Sequence, residues 1–117
     1  MSEWLESVTV EARGQETVVI AGKVVIVTGA SKGIGRATAR LFAQHGAKVA
    51  LAAGSTHLLN ALADELPGAL AVTVDMRDLE VIGRMVDAVK DRYGRIDVLV
   101  NNAGLLPILR RSLVVRL

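Results

Sequence analysis

"VVIVTGASKGIG", Val24 to Gly35, joins four consecutive β-branched residues to a loop that carries three glycines within seven positions. Four branched apolar residues in a row leave no polar face. The run therefore reads as a strand buried on both sides, as in a parallel sheet covered by helices. The apolar spacing then changes. Ile34, Ala37, Leu41 and Phe42 recur at i, i+3, i+7 and i+8, which predicts a helix over residues 33–45 with these four as its buried face. A glycine-rich loop between strand and helix lets a phosphate approach backbone N–H groups, and the helix N-terminus adds about half a positive charge. Glycine also serves a plain tight turn, so the loop does not decide the matter alone.

Outward from this loop the chain alternates. Gly46 closes the first helix, residues 47–53 form a second apolar strand, and a helix over 56–66 presents Leu58, Leu59, Leu62 and Leu66 before Pro67-Gly68 stops it. Residues 69–74 read as a third strand ending at Asp75. A third helix over 78–93 turns Leu79, Ile82, Met85, Val86 and Val89 inward, Gly94 ends it, and residues 96–100 make a fourth strand. Strands alternating with helices over short turns imply right-handed crossovers and an α/β fold with a parallel sheet. Such sheets bind ligands at the carboxyl ends of their strands, where Val24–Gly35 places its loop.

Composition bounds the rest. The 117 residues suffice for one core, 51% of them are hydrophobic, and the absence of cysteine excludes a disulfide framework and thiolate metal ligation. The net charge is +2, and three arginines, Arg110, Arg111 and Arg116, crowd into the last eight positions, so the remainder is nearly neutral. With only three aromatic residues there is no basic, aromatic-studded stripe for nucleic acid. Neither a signal peptide nor a run of about 18 apolar residues is present, and the expectation is a cytoplasmic protein with no membrane partner.

The loop spacing is Gly29-x-x-x-Gly33-x-Gly35, and a P-loop lysine is missing because Ile34 stands five residues after Gly29. Thr28-Gly-Ala-Ser-Lys-Gly-Ile-Gly35, then Asp75 at a strand end, then Asn101-Asn-Ala-Gly104 at the next, resembles the short-chain dehydrogenase/reductase family over residues 20–104. That resemblance implies a Rossmann-like, doubly wound sheet of four strands in the order 3-2-1-4 with three helices. It also implies an NAD(P)-dependent oxidoreductase acting on CH–OH or C=O groups. Gly29, Ser31, Lys32, Gly33, Ile34 and Gly35 match the loop around the pyrophosphate and adenosine ribose. Asp75 matches the acceptor of the adenine amino group, with Met76 beside it as a backbone contact. Asn101, Asn102, Ala103 and Gly104 match the segment that steadies the sheet and lines the adenosine side.

Cofactor choice rests on the end of the second strand. An NAD enzyme carries an acid there for the ribose 2′-hydroxyl and an NADP enzyme carries basic residues. Here Ala53 and Gly54 occupy those positions, so neither marker is present. Lys32 resembles the loop cation of NADP-preferring members, and beyond Gly54, at the arginine position, Ser55 or Thr56 could hydrogen-bond a 2′-phosphate, which favours NADP over NAD.

The family's catalytic Tyr-x-x-x-Lys pair lies beyond its Asn-Asn-Ala-Gly segment, and only 13 residues follow Gly104 here. The single tyrosine, Tyr93, has Asp97 four residues on rather than lysine, so no catalytic residue is assigned and the chain alone is expected to be inactive. The competing reading is a non-catalytic nucleotide-binding or interaction module. Residues 1–19 form an N-terminal extension with at most a loose hairpin, Val8–Val10 against Thr17–Ile20. Residues 105–117 form an apolar-basic tail unlike the family's next segment, the mark of a premature end or of a short protein with its own tail. A four-stranded sheet would leave strand 96–100 as an apolar edge, and self-association through it is expected.

Overall fold

The computed structural model describes residues 20–75 and 77–102, together with the backbone of residues 113–116. The proposed hairpin, Val8–Val10 against Thr17–Ile20, lies outside them except for Ile20. The elements are β1 (Val24–Thr28), α1 (Gly33–Gln44), β2 (Lys48–Ala53), α2 (Thr56–Glu65), β3 (Leu70–Thr73), α3 (Leu79–Tyr93), β4 (Val98–Asn101) and β5 (Leu113–Arg116). They build one parallel sheet in the order β3-β2-β1-β4-β5, in which the expected order 3-2-1-4 is present and continued by one strand.

β1 is buried along its whole length because both of its faces are used. Val25 and Val27 pack with Val49, Leu51, Val98 and Val100 under Ala39 of α1 and Leu59 and Leu62 of α2. Val24 and Ile26 point the other way, into a core with Ala50, Leu99 and Ile82, Met85 and Val89 of α3. The register is in step across the centre, Val25 beside Val49 and Val98, Ile26 beside Ala50 and Leu99, Val27 beside Leu51 and Val100. Three layers result, with α1 and α2 on one side and α3 on the other, and the strands' carboxyl ends are left open between them.

Asp97 fastens the amino ends of β1 and β4. It is 7% exposed, and its carboxylate accepts hydrogen bonds from Val24 N at 2.8 Å and Arg95 Nε at 2.9 Å. The Asp97 N–H donates in turn to the Val24 carbonyl at 2.9 Å. A carboxylate buried to this degree is tolerated because ionic and backbone donors replace its lost water.

Several expectations are corrected. Leu79, predicted to turn inward from α3, is 77% exposed at the helix start, and Leu58, predicted on the buried face of α2, is 38% exposed. Ile34 and Leu41, predicted on the buried face of α1, are 65% and 54% exposed, and Ala37 is exposed too, leaving Phe42 as the one of the four packed on the core. The helix lies so close to the sheet at its start that only small residues fit, so Gly35 and Ala39 carry the contact. Strand 96–100 is not an edge, either. β4 pairs in parallel with β5, Val98 beside Leu113 through Asn101 beside Arg116, because the free N–H and C=O groups of an apolar strand take whatever extended segment lies within reach. Leu113–Arg116 of the apolar-basic tail supply that strand.

Candidate functional site

The loop after β1 owes its shape to glycines that meet different demands. Gly29 and Gly33 sit at φ +63° and +62°, in the left-handed region where a side chain is strained. Gly35 has ordinary dihedrals but no room, since a Cβ there would fall 2.1 Å from the Gly29 carbonyl oxygen and 2.7 Å from Asn102 Nδ2. A Cβ on Gly33 would meet nothing within 4 Å.

The carboxyl end of β4 holds this loop from the neighbouring strand. Asn102 N donates to Thr28 Oγ1 at 2.9 Å, and Asn102 Nδ2 donates to the Gly29 carbonyl at 3.3 Å. Thr28 Oγ1 donates to the Val100 carbonyl at 3.3 Å, and Asn101 beside it is buried. Asn101 and Asn102 thus tie the tips of β1 and β4 together. Ala103, Gly104 and Met76 lie outside the described residues.

A cavity of about 880 Å³ opens at the carboxyl ends of the strands. It is lined by Gly29, Ser31, Lys32, Gly33 and Ile34 of the loop, by Ala53 and Gly54 after β2, by Thr73, Val74 and Asp75 after β3, and by Arg77, Val81 and Asn102. The structure therefore brings most of the expected residues to one place. Gly35 and Asn101 stand outside this lining, and Ser55 serves a different element: its Oγ accepts from Leu58 N at 3.3 Å and caps α2.

Electrostatics at the cavity are set by two features. The first turn of α1 has neither an acidic residue nor a side-chain cap, since Lys32 stands at its N-cap without capping anything. Its N–H groups keep their hydrogen-bonding capacity for an outside acceptor. Across the cavity lining, Asp75 is held at a pKa of about 2, foremost by the side-chain hydrogen bonds of Arg77 and then by the Arg77 N–H. Asp75 Oδ1 accepts from Arg77 N and Nε, both at 3.0 Å, and Oδ2 accepts from Nη2 at 3.0 Å. The chemistry on offer is that of an anion cradle beside a hydrogen-bond acceptor.

Thr73, Val74, Arg77 and Val81 were not among the residues expected at the site. Three of them carry no motif, but Arg77 stands two residues after Asp75, a spacing that lets one side chain fold back on the other.

The geometry has counterparts in known proteins. The short chain dehydrogenase family model matches residues 23–114. The 3-oxoacyl-[acyl-carrier-protein] reductase FabG of Thermotoga maritima is 46% identical over 100 residues, 82% of this chain and 39% of that protein. The oxidoreductase UcpA of Salmonella typhimurium is 46% identical over 89 residues, 73% of this chain and 34% of that one. Among solved structures, an actinorhodin polyketide ketoreductase with NADPH superposes with a TM-score of 0.68 at 40% identity, over 72% of this chain and 34% of its own. A short chain dehydrogenase from Bacillus anthracis gives 0.66 at 39% identity, over 69% and 35%. The chain thus spans about a third of the length of the relatives it matches.

Proposed function

Because this chain belongs to the short chain dehydrogenase family, we propose that it forms the dinucleotide-binding part of an NAD(P)-dependent oxidoreductase acting on CH–OH or C=O groups. One observation carries this reading: the uncapped start of α1 opens, through Ser31, Lys32, Gly33 and Ile34, onto the cavity. There the pyrophosphate takes the free N–H groups and the helix charge, and Asp75 accepts from the adenine amino group. Gly29 and Gly35 let the loop close down on the helix, while Asn101 and Asn102 hold it in place. Lys32 and Gly54 flank the ribose, and with no acid at Ala53 the preferred cofactor is NADP. The nicotinamide ring, when bound, supplies the hydride acceptor or donor.

The reading gives no residue of this chain the proton-transfer role. Tyr93 is engaged elsewhere, donating its hydroxyl hydrogen to the Gly68 carbonyl beside the amino end of β3, and burial raises its pKa. Cofactor binding by the 117-residue chain is accordingly adenosine-led. Isothermal titration calorimetry should find comparable affinities for adenosine diphosphate and NADH, and for 2′-phosphoadenosine 5′-diphosphate and NADPH. Absence of binding by all of these would overturn the proposal, and tighter binding of NADH than of NADPH would overturn the cofactor preference.

A further inference from the structure

Asp75 stands in the cavity with most of its acceptor capacity already used. A carboxylate offers about four lone-pair directions. Arg77 takes three of them, two on Oδ1 and one on Oδ2, all at 3.0 Å. The guanidinium meets the carboxylate side-on, a bidentate geometry that fixes its plane. One direction on Oδ2 remains for a ligand. Among the described residues, the charged ones lining the cavity are Lys32, Asp75 and Arg77. With Arg77 paired to Asp75 their sum is one positive charge, and without it Asp75 would cancel Lys32.

We infer that Arg77 is a specificity-determining residue of the site. It orients the one free acceptor of Asp75 and neutralises its charge, so that a nucleotide with an extra phosphate on the ribose is admitted beside Lys32. This rests on the dinucleotide-site reading above and deepens it. Both side chains are well exposed, at 88% for Arg77 and 53% for Asp75, so the pair acts through solvent-screened charge. An unpaired carboxylate on the order of 10 Å from a doubly charged phosphate weakens its binding about fourfold in water.

The test compares two probes that differ only in the ribose phosphate, adenosine 5′-monophosphate and adenosine 2′,5′-bisphosphate, titrated by calorimetry against the full chain, Arg77→Ala and Arg77→Lys. The expected result is an affinity ratio that falls about fourfold in Arg77→Ala, stays near the original in Arg77→Lys, and becomes less sensitive to the substitution as salt is raised. A ratio unchanged in Arg77→Ala overturns this inference and leaves the dinucleotide site standing. Binding of neither probe by the unsubstituted chain overturns both.

Discussion

The N-terminus of α1 and those of α2 and α3 answer the same physical problem in opposite ways. Every helix begins with N–H groups that its own backbone cannot satisfy. α2 meets this with Ser55, whose Oγ accepts from Leu58 N, and α3 with Asp78, whose Oδ1 accepts from Glu80 N at 3.0 Å and Val81 N at 3.4 Å. α1 presents Lys32, which accepts nothing. Two helix starts are closed by their own sequence, and the third is left open with a cation at its mouth. A structural turn has reason to be capped, and an anion site has reason not to be.

Breaking the open start gives the largest effect. Gly35→Ala places a Cβ 2.1 Å from the Gly29 carbonyl, a backbone atom that cannot swing aside. Overpacking of this kind should destabilise by about 3 kcal/mol and abolish nucleotide binding, as read by chemical denaturation and calorimetry. Closing the start should do the reverse to stability. Lys32→Asp installs a cap and a negative charge at α1, and should raise stability by about 1 kcal/mol while cutting nucleotide affinity at least tenfold. The mirror substitution sharpens the contrast, since Asp78→Ala should lose about 1 kcal/mol with nucleotide affinity unchanged. Equal effects of the two cap changes on binding would erase the distinction between the helices.

Smaller effects are expected from the groups that hold the site. Asn102→Ala removes the bond to the Gly29 carbonyl and should lower stability by about 1 kcal/mol, with weaker nucleotide binding. The smallest is electrostatic. Because the pKa of Asp75 is lowered to about 2, the Asp75–Arg77 pair stabilises the fold fully above the unfolded value near 3.9. That contribution disappears as pH falls through about 2. In Arg77→Ala the Asp75 carboxyl, followed by NMR, should titrate near 3.9 instead.

The parts of the molecule readable from the sequence were those with local, repeated signals. The β-branched run Val24–Val27, the glycine spacing of the loop and the leucines of the second helix each announce their element, and Asp75 and Asn102 both line the cavity. What was misread depends on volume or distance. Hydropathy weights Ile34 and Leu41 above Gly35 and Ala39, yet close approach of α1 to the loop reverses that order. β5 contributes just Leu113, Val114 and Val115 as an apolar run among arginines, and its reason to extend is β4, which no local pattern reveals. Ser55 has a hydroxyl suited equally to a phosphate and to a helix start, and the helix claims its acceptor.

Two of the fastenings at the ends of β1 and β4, Asp97 on Val24 N and Asn102 on the Gly29 carbonyl, each join residues 73 apart in the chain. Loop closure over that length is entropically slow to assemble, and folds dominated by such contacts form late rather than by local zipping. The glycine loop acquires its final outline only after α1, β2, α2, β3 and α3 have been threaded between its two anchors. Nucleotide affinity in this chain is therefore a reporter of completed folding: in a refolding experiment it should return with the last kinetic phase, after helical signal has recovered.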